Sequence, residues 1–478
     1  MLVRLGSALL SSIFLLACST VVDTAAQPPA ASKALPNVVI FFTDDQGYGD
    51  LSSFGNPTIH TPHVDSLAAD GAKLTQFYVA SPVCSPSRAA LLTGCYPKRV
   101  GMQKHVIFPG YDYGLNSDEV TIADMLKQQG YATGMFGKWH LGHRPGLLPL
   151  DQGFDRYYGV PYSNDMSQFH RKEGAKYKLH LPLMRDNEVI EWEPDQREIT
   201  RNCTNEALEF IDASKEGPFF LYMPYSMPHI PIYTSQEFVG RSPRGVYGDV
   251  IEEIDWSVGQ VLERLEAHGL TEDTIVIFTT DNGPWLPYKD YGGSAGPLRG
   301  GKGSNWEGGQ RVPCVVRWPG VIPAGSHRRE MLTTMDLFPT IAAWVGAEAQ
   351  GNGEIDGRDV GSLLQGAGAS GFDPNTSPFV YYTSNGALAG IRRGPWKLLF
   401  ENGELYNVEV DISEQWNKAE KFPKLAAELR ALAMQLDEEI EANARPVLKV
   451  EELLFDPAKP VNPDGTTFQM PAERRIPQ

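Results

Sequence analysis

The chain has 478 residues, 42% hydrophobic and 21% charged, so it is long enough for two domains and too apolar to stay disordered. Its formal net charge is −17, from 42 basic and 59 acidic residues, which excludes a broad basic surface for nucleic acid.

Arg4 followed by the apolar run from Leu5 to Leu16 reads as an export signal, too short for a membrane span. Leu15-Leu16-Ala17-Cys18 resembles a bacterial lipobox, giving a signal peptide over residues 1–18 with cleavage before Cys18 and a lipid on that cysteine. Leu16 is larger than usual at its position, and ordinary secretory cleavage near Thr24-Ala25-Ala26 is the alternative. Either way the protein is expected outside the cytoplasm, periplasmic or anchored to the outer membrane, touching a membrane only through a lipid. Residues 19–34 are small and polar and read as a tether.

Val38-Val39-Ile40-Phe41-Phe42 is an unbroken apolar run, as in a strand buried on both faces, and leads into Asp44-Asp45. A helix is expected over about 62–70, with Thr61 as its cap, Pro62 in its first turn and Gly71 closing it. Further helices are expected over 85–93, just after Cys84, and over 121–129, stopped by Gly130. Phe219-Phe220-Leu221-Tyr222 and Ile275-Val276-Ile277-Phe278 read as buried strands, separated by an amphipathic helix over about 246–268. Alternating strands and helices predict an α/β fold, a mainly parallel sheet covered by helices, over residues 35–365. The short runs at 379–382, 388–393, 396–400 and 404–406 predict a small antiparallel sheet, and 424–440 a helix. Together with a proline-rich tail from Arg445 they form a C-terminal subdomain over 366–478.

Asp44 and Asp45 follow the first strand, and Asp281 and Asn282 follow the strand that ends at Thr280. Sites of open α/β sheets gather at such strand ends. Asp44-Asp45 alone reads as a turn or cap. With Asp281 and Asn282 in the equivalent place, four oxygen donors converge, and a hard divalent cation relieves their repulsion; oxygen ligands alone do not separate Ca²⁺ from Mg²⁺. Cys84 lies at the start of a helix, where free N–H groups favour negative charge; on its own it reads as a low-pKa thiol or a buried structural cysteine. Lys138 and His140 alternate in what reads as an extended segment and so share a face, a fixed cation beside a titratable imidazole. His229, after Pro228, reads on its own as a satisfied loop histidine, and Gly301-Lys302-Gly303 as a loop whose glycines permit close backbone approach.

Cys84-Ser85-Pro86-Ser87-Arg88, continued by Ala89-Ala90-Leu91-Leu92-Thr93-Gly94, is the segment that maturation enzymes read when they oxidise a cysteine to formylglycine. Joined in order to Gly137-Lys138-Trp139-His140-Leu141-Gly142 and the other segments, it resembles the type I, formylglycine-dependent sulfatases, closest to the arylsulfatase A type. Matched motifs run from about Pro36 to Ala342, and more weakly through Ile391 to Lys397. The resemblance implies an alkaline-phosphatase-like catalytic domain and hydrolysis of aryl or carbohydrate sulfates. It implies formylglycine at Cys84, installed by a formylglycine-generating enzyme, and Ca²⁺ held by Asp44, Asp45, Asp281, Asn282 and residue 84. The formylglycine hydrate would attack sulfur through a covalent sulfo-enzyme intermediate, with Arg88 orienting the hydrate and His140 assisting it. Lys138 and Lys302 would contact the sulfate, and His229 the leaving group. Ser163, in Pro161-Tyr162-Ser163-Asn164-Asp165, matches a serine near substrate, whereas Asn164 departs from the histidine of the animal enzyme and leaves leaving-group preference open. Because the whole chain repels anions, attraction for a sulfate ester must come from a few cations inside the pocket. With Cys18 lipidated and Cys84 oxidised, Cys95, Cys203 and Cys314 allow at most one disulfide. Two other readings use the same residues: a phosphodiesterase or phosphonate monoester hydrolase of the same superfamily, and a non-catalytic lipoprotein that binds sulfated glycans.

Overall fold

A computed structural model describes residues 35–167, 179–368, 371, 373–374 and 376–470. The expected signal peptide, Cys18 and the tether lie outside these, as do residues 168–178. In chain order the first elements are β1 (Asn37–Thr43), α1 (Pro62–Asp70), β2 (Ala72–Tyr78), α2 (Cys84–Thr93), β3 (Tyr113–Gly114), α3 (Ile122–Gln128), β4 (Ala132–Lys138) and β5 (Arg156–Val160). Then come β6 (Pro182–Arg185), β7 (Glu188–Trp192), α4 (Ile199–Ser214), β8 (Phe219–Pro224), α5 (Val246–Ala267), β9 (Thr274–Thr280), α6 (Glu307–Gln310) and β10 (Arg311–Arg317). The remainder are β11 (Ser326–Arg328), β12 (Leu332–Thr333), α7 (Leu337–Val345), α8 (Gly361–Leu364), β13 (Pro378–Tyr382), β14 (Leu388–Arg393), β15 (Trp396–Leu399), β16 (Glu404–Asn407), α9 (Pro423–Ala442) and β17 (Leu448–Lys449).

The main sheet runs β11-β2-β10-β9-β1-β8-β4-β5-β6-β7, with β12 also on β2. β1 lies parallel between β8 and β9, and β4 parallel between β8 and β5. β10 is antiparallel to its neighbours, as are the β5-β6-β7 pairings. Alternate residues of β1 enter opposite cores. Val38, Ile40 and Phe42 pack with Leu91, Leu126 and Phe338 of α2, α3 and α7; Val39 and Phe41 pack with Leu67, Ile211 and Ile254 of α1, α4 and α5. Burial on both faces is the reason for the unbroken apolar run, and each such side chain contributes about 1.5–3 kcal/mol.

β13 to β16 form the expected antiparallel sheet. α9 covers it through Leu429 and Ala433 against Ile391, Leu398 and Leu405, while Phe379, Val380 and Tyr381 share a core with Tyr78, Ala90 and Tyr96. Among the described residues no helix is long and apolar enough to cross a membrane. The four described cysteines, Cys84, Cys95, Cys203 and Cys314, are all free and buried, with no disulfide among them.

Local details differ from expectation in two places. Thr61 does not cap α1 with its side chain. Asp255 of α5 does so from across the core, accepting from His63 N (3.2 Å) and Val64 N (2.8 Å), because a carboxylate satisfies the free N–H groups of a first turn. Gly71 closes α1 as expected, with φ −142° rather than a left-handed conformation, and is glycine because a Cβ there would lie 2.3 Å from the Val316 carbonyl oxygen. Cys84 is the first residue of α2, not the residue before it.

Candidate active site

The parallel register assembles the site. Thr43 pairs with Thr280 at the ends of β1 and β9, so Asp44-Asp45 and Asp281-Asn282 leave adjacent strands side by side. Asp281 N bonds the Thr43 carbonyl at 3.1 Å, and Asp281 Oδ1 accepts from Asp45 N at 3.1 Å. Lys138 ends β4 opposite Val160 of β5, and His140 N bonds the Pro161 carbonyl, which sets the lysine beside the turn carrying Ser163. β4 and β8 approach so closely that a Cβ on Gly137 (φ +145°) would lie 1.9 Å from the Pro224 carbonyl oxygen.

All eleven site side chains singled out in the sequence, Cys18 set aside, meet here. Cys84 Sγ lies 3.4 Å from Asp44 Oδ1 and 3.6 Å from Lys302 Nζ. Lys138 Nζ donates to Asp44 Oδ2 (2.5 Å) and Ser163 Oγ (3.1 Å). Lys302 Nζ lies 2.7 Å from Asp45 Oδ1, and His229 Nε2 is 3.6 Å from Asp45 Oδ2. Arg88 is fully buried, which excludes a surface ion pair. It donates from Nε (3.2 Å) and Nη2 (2.9 Å) to Asp281 Oδ2 and from Nη1 to the Lys138 carbonyl (2.9 Å). Its direct partners are therefore the carboxylates and the backbone that hold the site. Asn282 Nδ2 donates to Asp45 Oδ1 at 2.7 Å.

The shared extended face expected for Lys138 and His140 is not how the two come together. The strand stops at Lys138, and His140 takes a left-handed conformation (φ +64°), uncommon for a residue with a Cβ and found where surroundings impose it. His140 Nε2 donates to the Ile107 carbonyl at 3.1 Å, which leaves Nδ1 as the lone-pair nitrogen, buried and without a protein partner. Burial, then Lys138 and Arg88, hold this histidine's pKa well below the usual value, so it is neutral and keeps its lone pair on Nδ1. His229 has the opposite frame: Nδ1–H donates to the Ile230 carbonyl at 2.6 Å and Nε2 faces the carboxylates. Burial and Lys302 lower its pKa, against the pull of Asp45.

Burial and Asp44 push the Cys84 thiol well above its ordinary value, which removes the low-pKa thiol reading. Asp44 is held well below the carboxylate range: burial raises it, but Lys138, His229, Arg88 and Lys302 outweigh burial. Burial and the Asp44 charge push Asp281 up to about 7 against Arg88. Carboxylates that disfavour one another's ionisation are what a divalent cation resolves. The donor set fits one: ligand atoms of Asp44, Asp45, Cys84 and His229 lie within 4.8 Å of one another, and buried Asn282 Oδ1 has no protein donor. The oxygen donors of Asp44, Asp45, Asp281 and Asn282 suit a hard ion better than a thiol and an imidazole already hydrogen-bonded through Nδ1.

Two residues near the site were given no role by the sequence. Asp50 is fully buried, accepts from Gly47 N (2.7 Å), Ser294 N (2.9 Å) and Tyr247 Oη (2.7 Å), and ties the loop behind Asp45 to the Gly292–Ser294 turn. Its dependence on a residue 244 positions away hid it. Glu307 lies five residues beyond Lys302 but points away from the pocket, to Lys397 at 3.0 Å.

A sulfatase family model matches residues 36–347 of the chain. Homo sapiens arylsulfatase A is 40% identical over 384 residues, covering 76% of this chain and 75% of the relative. Homo sapiens steryl-sulfatase is 36% identical over 457 residues, covering 78% and 77%. Among solved structures, Ps i-CgsB in complex with k-i-k-neocarrahexaose superposes with a TM-score of 0.76 at 31% identity, covering 87% of this chain and 95% of that one. The fold is thus alkaline-phosphatase-like, and the family depends in general on formylglycine and a metal. The chain belongs to the sulfatase family, the hydrolases of sulfate esters.

Proposed function

We propose that the protein is an exported arylsulfatase-like enzyme in which Cys84, converted to formylglycine, is the nucleophile and Ca²⁺ is the metal. Asp44, Asp45, Asp281 and Asn282 would hold the ion, which when bound would neutralise the carboxylates and polarise a sulfate oxygen. A hydrated formylglycine would offer two hydroxyls on one carbon, one to attack sulfur and one to release it.

The chain's own residues do the rest. Lys302 lies against residue 84 and Lys138 against Asp44, which itself meets residue 84, and the two lysines offset charge on the sulfate oxygens. Ser163 positions the Lys138 ammonium. Arg88 fixes Asp281 and the end of β4, so the cluster is set before substrate arrives. His229, with Nδ1–H committed to Ile230, presents Nε2 to the leaving oxygen and donates a proton when protonated. His140, neutral with a free Nδ1, accepts one. Cys84 at the first turn of α2, between Asp44 and Lys302, is the observation that carries this reading. Export on a lipid at Cys18, with residues 35–365 as the catalytic domain and 366–478 as its support, is part of the same proposal.

The test is a paired assay of the Ca²⁺-loaded protein on 4-nitrophenyl sulfate and bis(4-nitrophenyl) phosphate. Sulfate release in excess, lost with a chelator and restored by Ca²⁺, supports the assignment. Dominant phosphodiester cleavage contradicts it.

A further inference from the structure

Beside the cluster lies an aromatic corner that the chemistry above does not use. Trp285 follows Asp281-Asn282-Gly283-Pro284, and its ring packs on His229 with centroids 5.4 Å apart and on Lys302 Nζ at 4.4 Å. Tyr288 meets Trp285 edge-on, with centroids 4.8 Å apart and planes at 67°. The rest of the turn faces water: Leu286 and Tyr288 are each 42% exposed and Tyr291 57%. Exposed aromatic rings beside a polar pocket offer contact area to a bound ring.

The corner is braced by hydrogen bonds. Lys302 N and Leu286 N both bond the Pro284 carbonyl, at 2.9 and 3.1 Å. Arg244 holds the far side through the Asp290 and Gly292 carbonyls, each at 3.1 Å. Lys289 has a positive φ (+53°), uncommon for a residue with a Cβ. A braced face loses little entropy on binding.

We propose that Trp285 and Tyr288 are specificity-determining residues that stack the ring bearing the scissile sulfate, and that this ring is a sugar, so that the preferred substrates are carbohydrate sulfates. The inference rests on the sulfate-ester reading of the site. Trp285 touches both His229, the partner of the leaving oxygen, and Lys302, a partner of the sulfate, so a ring seated against this corner lies next to the ester oxygen. Rings meeting at an angle embrace a puckered ring with C–H bonds on its faces better than a flat aryl group, which uses one wall. The wall opposite the reaction centre stays wet, which suits a polyhydroxylated ring and its continuation into solvent. A steroid or aryl group gains most in an enclosed apolar pocket.

The experiment measures wild type, Tyr288→Ala and Trp285→Phe on 4-nitrophenyl sulfate and on mono- to hexasaccharides carrying O-sulfate at the 2, 3, 4 or 6 position. Tyr288→Ala should lower the ratio of kcat/KM on the best saccharide to kcat/KM on the aryl ester by roughly three- to tenfold, mainly through KM, and Trp285→Phe should lower it less. An unchanged ratio, or a wild type that cleaves the aryl ester and none of the saccharides, overturns the inference. A wild type that releases sulfate from neither class overturns the underlying reading instead.

Discussion

One loop feeds two buried groups of charges with opposite characters. Lys302 enters the pocket of Asp44, Asp45, Asp281, Arg88 and Lys138; Glu307, five residues on, enters a cluster against the C-terminal sheet. There Glu307 Oε1 faces Lys397 Nζ at 3.0 Å and Tyr381 Oη at 3.5 Å, and Oε2 faces Arg311 Nη1 at 3.4 Å and the Tyr78 hydroxyl. Lys397 also meets Glu414 at 2.8 Å, and Arg392 Nη1 lies 3.9 Å from Glu307. Both oxygens of Glu307 are saturated by protein donors. In the pocket, Asn282 Oδ1 and His140 Nδ1 are buried and unmatched. A buried carboxylate with both oxygens matched, as in Glu307, clamps two parts of a fold together; buried acceptors with no protein donor keep capacity for a ligand.

The comparison is most sharply tested at Cys84. Cys84→Ala should lower sulfatase turnover by about four orders of magnitude or more with an unchanged melting curve, and Cys84→Ser should accumulate covalently bound sulfate, visible by intact mass. Glu307→Ala should do the converse, costing about 3–5 kcal/mol of stability because Lys397 and Arg392 lose a buried partner, while kcat per folded molecule holds. Lys302→Ala should lower kcat/KM by about a hundred- to a thousandfold. If Glu307→Ala reduced kcat as much as Lys302→Ala does, the division between clamp and pocket would fail. Asn282→Ala should weaken Ca²⁺ by about tenfold or more, read by titration of activity and of melting temperature.

The smallest effects are on pH dependence and carry opposite signs. Burial raises Glu307, but Lys397, Arg392 and Arg311 outweigh it and hold the group at about 2, against 4.5. Its stabilisation is present above pH 4.5 and lost as pH falls toward 2. Asp255 is pushed up by burial to about 7, from 3.8, against its bonds to Val64 and His63. Its folded form holds a proton that the unfolded chain has released, so stability falls as pH rises from about 4 to 7. Melting temperatures of Asp255→Asn should gain on those of wild type across that interval, and a constant difference would remove the assignment.

The pocket was legible in the sequence because its residues sit at the ends of recognisable elements. Asp44 and Asp281 each follow an apolar strand, Cys84 adjoins a helix start, and Lys138 lies in an extended segment. Parallel pairing then joins ends that lie far apart in the chain. The clamp was not legible: Glu307 and Lys397 are 90 residues apart and neither lies in a periodic pattern that points to the other. The left-handed His140 was missed because alternation assumes that the strand continues, and the capping of α1 by Asp255 because local rules look only to Thr61.

The central claim is that residue 84 acts as formylglycine among these carboxylates and lysines. Mass measurement of the proteolytic peptide containing residue 84, taken from material of known specific activity, tests it most directly. The aldehyde or its hydrate should be present in proportion to activity; an unmodified cysteine throughout fully active protein would contradict the account.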